Sequence, residues 1–165
     1  MTDTNNFSNS VFPSTFEMAS LMIAAGVDKT ALQENVFSSN TVSRMRLQGH
    51  MLKDKMTLVP EMGAAYMILT QAEKDAYDYR DGDSEGFVNM PLTIKGVRIS
   101  AMFTETKKGH VRVSLRSRRD TDVNLFAREF FNGGGHKNAA GGRLYIPVDE
   151  VAAYFLKALH SHFDR

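Results

Sequence analysis

The sequence predicts an α+β fold: an N-terminal helical segment followed by a small mixed or antiparallel sheet flanked by helices. Three observations predict it. Apolar residues recur at helical spacing as far as Lys55, short strand-like runs separated by turn residues begin at Met56, and helical periodicity returns twice in the last third. The change near Lys55 divides the chain into residues 1–55 and 56–165.

Pro13 and Ser14 open a helix over 15–25 whose Phe16, Ala19, Leu21, Met22 and Ile23 form an apolar stripe, and Gly26 stops it. Asp28 caps a second helix through Leu32, Val36 and Phe37. A third carries Val42, Met45, Leu47, Met51 and Leu52 to about Lys55, and the three read as one helical unit. Thr57–Pro60 and Ala65–Leu69, joined by a Glu61-Met62-Gly63 turn, predict a hairpin. Thr70 caps a short acidic helix to about Tyr79. Val97–Phe103 and His110–Arg116 predict an antiparallel pair around Thr106-Lys107-Lys108-Gly109. In the second of these, Val111, Val113 and Leu115 share one face and His110, Arg112, Ser114 and Arg116 the other, so one side packs and the other binds. Asp120, Thr121 or Asp122 caps a helix with Val123, Phe126, Ala127 and Phe130 on one stripe. Arg143–Ile146 predicts a last strand, and Asp149 starts an amphipathic helix through Phe155, Leu159 and Phe163.

At 165 residues, 42% hydrophobic and 24% charged, the composition is that of a soluble globular chain. No apolar run is long enough to span a bilayer and the start lacks a signal-peptide pattern, so a cytoplasmic location is expected. The absence of cysteine excludes disulfides, thiolate zinc sites and a cysteine nucleophile. Net charge is only +1, yet Lys107, Lys108, Arg112, Arg116, Arg118 and Arg119 crowd a stretch whose one carboxylate is Glu105. That stretch runs into Gly133-Gly134-Gly135-His136-Lys137-Asn138-Ala139-Ala140-Gly141-Gly142, which holds five of the 12 glycines. Consecutive glycines at positive φ turn backbone N–H groups inward, and a helical turn from Lys137 to Ala140 would aim more of them at the same spot. Such a cradle binds an anion, and His136 adds a donor to a phosphate oxygen.

Val113-Ser114-Leu115-Arg116-Ser117, the helix from Asp122, the Gly133–Gly141 segment and Glu85-Gly86-Phe87-Val88-Asn89 together resemble the DHH-associated substrate-binding domain of DHH-family phosphoesterases. The likeness covers most of the chain after Lys55 and is nearest the oligoribonuclease and pAp-phosphatase branch, often labelled exopolyphosphatase-related. It implies that a catalytic DHH domain holds two divalent ions, usually manganese, and that residues 56–165 grip a short oligonucleotide or pAp. By the same likeness Arg116, Ser117, Gly133, Gly134, Gly135, His136 and Asn138 form the phosphate site. Thr2-Asp3-Thr4-Asn5-Asn6-Phe7 resembles the last metal motif of the catalytic domain, which would make Asp3 a metal ligand and residues 1–55 the end of that domain plus a linker helix. Asn5 stands where glycine is usual, and no Asp-His-His motif is present. One aspartate cannot assemble a two-metal site, so the chain alone is expected to lack hydrolase activity, its partner being a missing N-terminal DHH domain.

Two other functions fit the same residues: a nucleotide- or RNA-binding module without hydrolysis, and a homodimerisation domain meeting through Phe155, Leu159 and Phe163. Asp81-Gly82-Asp83-Ser84-Glu85-Gly86 imitates a calcium loop, but Leu92 occupies the closing glutamate position and ends that reading. His160 and His162 lie on different helix faces and read as surface residues.

Overall fold

A computed structural model of the chain describes residue 7, residues 11–38 and residues 40–163. It divides into two compact units, Met1–Thr41 and Val42–Arg165.

The first unit contains α1 (Pro13–Ala24) and α2 (Lys29–Phe37). Proline at the first helical position starts α1, and Asp28 caps α2 by accepting a hydrogen bond from the Ala31 N–H at 3.0 Å. No residue of α1 is buried, and of its predicted stripe Phe16, Leu21 and Ile23 are each more than half exposed.

The second unit opens with α3 (Val42–His50), which runs directly into a π turn over Met51–Lys55. Here the structure departs from the sequence reading, which grouped this helix with the two before it. Leu47 and Met51, four residues apart on one helix face, are fully buried with Met67, Leu69 and Phe87, and that burial ties α3 to the sheet.

Strands β1 (Thr57–Val59), β2 (Ala64–Leu69), β3 (Ile99–Glu105), β4 (Val111–Ser117), β5 (Gly134–His136) and β6 (Ala139–Leu144) form one sheet in the order β1-β2-β3-β4-β6-β5. The β2–β3 pair is parallel and the others antiparallel, so the sheet is mixed. The crossover from β2 to β3 runs through α4 (Gln71–Ala76) and a 3-10 segment, Phe87–Thr93. Thr70 and Glu73 form the capping box of α4. The helix ends before the predicted Tyr79 because Asp78 adopts a left-handed φ of +50°.

Helices α5 (Val123–Phe130) and α6 (Val151–Phe163) cover one face of the sheet. Phe103, Phe126, Phe131 and Phe155 meet there with ring centroids 5.0–6.3 Å apart. Phe155 and Leu159 are fully buried in this core, so they are not free to make the dimer contact that the sequence suggested. His162 is likewise not a surface residue: its Nδ1 lies 2.7 Å from the Glu129 carboxylate, and its ring packs against Phe126 and Phe163. Among the described residues no helix is long and apolar enough to cross a membrane.

A charged junction fastens α3 and its π turn to α4. Glu73 accepts from Lys55 at 2.8 Å, from the Thr70 backbone N–H at 2.8 Å, and lies 3.1 Å from His50 Nε2. Burial alone would raise its pKa, but hydrogen bonds from Lys55, Thr70 and His50 outweigh burial and bring it down to about 2. A carboxyl depressed in the folded state stabilises it above its unfolded pKa, and this contribution disappears as pH falls through the folded value. Thermal stability of the wild type should therefore decline from about pH 4.5 down to about 2, with a shallower decline in Glu73→Gln. Parallel melting-temperature profiles of the two proteins over that window would refute the assignment.

Candidate functional site

The glycine segment does not form the predicted anion cradle. Residues 134–136 and 139–144 are strands of a hairpin, with Lys137 and Asn138 in the turn, so no helical turn begins there and the last strand starts at Ala139 rather than Arg143. Of Gly133, Gly134 and Gly135 only Gly135 has a positive φ, at +156°. Its N–H donates to the Asn124 side-chain oxygen at 2.9 Å and is not turned toward a ligand.

Close backbone packing explains the glycines instead. A Cβ on Gly133 would lie 1.9 Å from the Gly141 carbonyl oxygen, and one on Gly142 would lie 2.2 Å from that of Phe131. Both distances are far inside van der Waals contact and both neighbours are backbone, so only glycine lets the end of α5 pass this close to β6. The Arg143 N–H donates to the same Phe131 carbonyl at 2.7 Å and locks the crossing.

The crossing leaves one half of the sheet bare. Leu47, Met51, Phe87 and Val88 cover β2 and β3 on the face away from α5 and α6, whereas β4 alternates strictly, with Val111, Val113, Leu115 and Ser117 buried and Arg112, Ser114 and Arg116 at least partly exposed. Register places Arg143 opposite Arg112, Gly141 opposite Ser114, and Ala139 opposite Arg116. His136 pairs with Ala139 in turn, so Arg116, Ala139 and His136 occupy one rung across three strands. Strands two apart in a sheet are separated by roughly 10 Å, a gap that an arginine and an imidazole can close on one phosphoryl group. Arg112, Ser114, Arg116, Gly141, Arg143 and Tyr145 line a hollow of about 600 Å³ on this face.

Arg116 is half-buried. Its Nη1 donates to the Leu115 carbonyl at 2.9 Å, which orients the guanidinium, and burial holds its pKa below the usual arginine range. Among the described residues no carboxylate pairs with Arg112, Arg116 or Arg143, and His136 and Gly135 are exposed. The face therefore presents three uncompensated guanidinium groups over a floor of glycine and alanine, a surface that attracts an anion and lets it approach the backbone.

Other predicted site residues have internal partners. Ser117 is buried and its hydroxyl donates to the Thr121 carbonyl at 2.6 Å. Asn138 Nδ2 donates to Ser117 Oγ and to the carbonyls of Arg119 and Thr121 at 2.9–3.2 Å, holding the hairpin turn against the start of α5. Gly134 lies beside the Asn124 and Arg128 side chains. Asp3 lies outside the described residues. Among those that are described, no group of three or more histidine, aspartate or glutamate side chains is placed to hold a metal ion. Arg143, Gly141 and Tyr145 were missed in the sequence. Extending the strand back through Ala139 would have found them, because 139, 141, 143 and 145 then alternate onto the face of Arg116.

The model of the DHHA1 domain matches residues 63–163, from the start of β2 to the end of α6. The chain belongs to the DHHA1 domain family. It is 38% identical to an exopolyphosphatase-related protein of Bacteroides fragilis, whose crystal structure it matches with a TM-score of 0.93 over 98% of this chain and 47% of that one. It is 31% identical over 85% of its length to a probable bifunctional oligoribonuclease and PAP phosphatase, NrnA, of Streptococcus mutans, covering 44% of that protein. It is 28% identical over 98% of its length to the cyclic-di-AMP phosphodiesterase GdpP of Geobacillus thermodenitrificans, covering 23% of that one. The chain thus spans less than half the length of these relatives. Its DHHA1 domain is the associated domain of DHH-family phosphoesterases.

Proposed function

We propose that this chain is the substrate-gripping portion of a cytoplasmic, manganese-dependent phosphoesterase that acts on short oligonucleotides or pAp. Arg116 and His136 take the terminal phosphate, and an upstream DHH domain, to which Asp3 contributes a ligand, supplies the metal chemistry. The observation that carries this reading is the single rung joining a half-buried, oriented arginine to an exposed histidine on a bare sheet face. Similarity to the oligoribonuclease NrnA supports a nucleotide as the anion.

Titration calorimetry of pAp into the wild type and His136→Ala tests the reading. Binding should weaken in the variant and in both proteins as salt rises, since charge carries the contact. Equal affinity in the two proteins would remove His136 from the site. With manganese added, the 165-residue chain should release no nucleotide from a dinucleotide, because a two-metal site needs several carboxylates and imidazoles and Asp3 alone resembles one of them. Measurable turnover by a contaminant-free preparation would overturn the division of labour between the two domains.

A further inference from the structure

The hollow around Arg116 does not end there. Arg112 and Arg143 also line an adjoining groove of about 540 Å³ that runs to the β3–β4 turn and includes Lys74, Lys107, Lys108 and His110. Five lysines and arginines face two acids in this groove, Asp75 and Asp81, and Asp75 already accepts a hydrogen bond from the Gln71 amide. Lys74 donates to the Glu105 backbone carbonyl, and Glu105 accepts from the Gln71 N–H at 2.7 Å, so the nearest further carboxylate is committed as well. Lys107, Lys108, Arg112 and Arg143 are exposed.

Arg112 and Arg116 are four residues apart on one strand, or about 13 Å at strand rise, and Ser114 and Gly141 keep the floor between them low. Lys107 and Lys108 line the groove and not the hollow around Arg116, so the basic track continues past that hollow. Tyr145 lines the hollow around Arg116 and stands just past the Arg112–Arg143 pair, at the edge of the groove. It is 68% exposed, follows Arg143 by two residues on the same face, and its ring lies 5.9 Å from that of His110. Among the described residues of the second unit it is the phenylalanine or tyrosine most open to solvent, which leaves its ring available to stack on a flat partner.

We propose that this groove is a second subsite, which takes the next phosphate and base of a nucleotide chain whose end is held at Arg116. Arg112, Arg143, Lys107 and Lys108 bind the further phosphate, and Tyr145 stacks the base, the combination used on single-stranded nucleic acid. The face then favours a chain of two or more nucleotides over a mononucleotide. This inference rests on the phosphate-end reading above.

Calorimetry with pAp, a 5′-phosphorylated triadenylate and inorganic tripolyphosphate separates the two. The triadenylate should bind about tenfold more tightly than pAp, in keeping with stacking of one base. Tyr145→Ala should remove that advantage, costing the triadenylate more affinity than pAp or tripolyphosphate, and Lys107→Ala/Lys108→Ala, at residues outside the hollow around Arg116, should reduce it and flatten its salt dependence. Equal binding of pAp and triadenylate, with both lost in Arg116→Ala, would overturn the second subsite and leave the first standing. A length advantage indifferent to Tyr145→Ala would overturn the stacking role. Absence of binding by either nucleotide would overturn both readings.

Discussion

Gly133→Ala should destabilise the protein by roughly 3–5 kcal/mol, the largest effect expected of any single methyl group in this chain. The added carbon would sit 1.9 Å from the Gly141 oxygen, 2.5 Å from Gly142 Cα and 2.7 Å from the Gly141 carbonyl carbon. All three are backbone atoms of β6, which β4 holds by register on its other side, so no side-chain rotation relieves the clash. Domains of this size have only about 5–15 kcal/mol to lose, and the substitution removes a large fraction of it. Gly134→Ala is the internal control. Its nearest neighbours would be the Asn124 and Arg128 side chains at 3.4–3.6 Å, ordinary contact distances, and its φ is not positive, so a change within about 1 kcal/mol is expected. Urea unfolding of the two variants decides the matter. If both unfold at the wild-type midpoint, the close crossing of α5 and β6 is not what these glycines are for.

Arg116→Ala should cost pAp affinity about 10- to 100-fold with little change in fold. A charge-assisted bond from an oriented guanidinium contributes about 1.5–3 kcal/mol. The Leu115 carbonyl that accepts from Nη1 already belongs to the β-ladder and keeps its strand pairing in the variant. Arg116→Lys should recover part of the loss, because lysine keeps the charge but cannot present two parallel donors. Arg46→Ala, which removes one exposed positive charge on α3, is the control for net charge. Equal losses in Arg46→Ala and Arg116→Ala would mean that diffuse charge, rather than this guanidinium, holds the nucleotide.

Much of the second unit was legible because its signals are local. Strict alternation from Val111 to Arg116 gave β4 and its two faces, and Asp122 marked the start of α5 by accepting from the Asn124 and Leu125 N–H groups. The glycine segment was not legible for a physical reason. Strands are recognised by alternating side chains, and Gly133-Gly134-Gly135 has none, so a hairpin held by register with β4 looked like a free loop. The association of α3 with the sheet was hidden in a similar way. Leu47 and Met51 carry a helical stripe in sequence, but only the fold shows that Met67 and Phe87 lie opposite it. Strand parity therefore placed Arg116 on the open face of the sheet, whereas the glycines, with no side chains to alternate, read as a loop.

Chemical-shift mapping of the isotope-labelled chain during titration with pAp tests the central claim most directly. The account predicts that the largest perturbations fall on Arg116, His136, Ala139 and Gly141, with Gly135, whose N–H is held by Asn124, moving less. Perturbations centred instead on the surface around Lys95, Arg98 and Arg119, beside the end of α6, would contradict it.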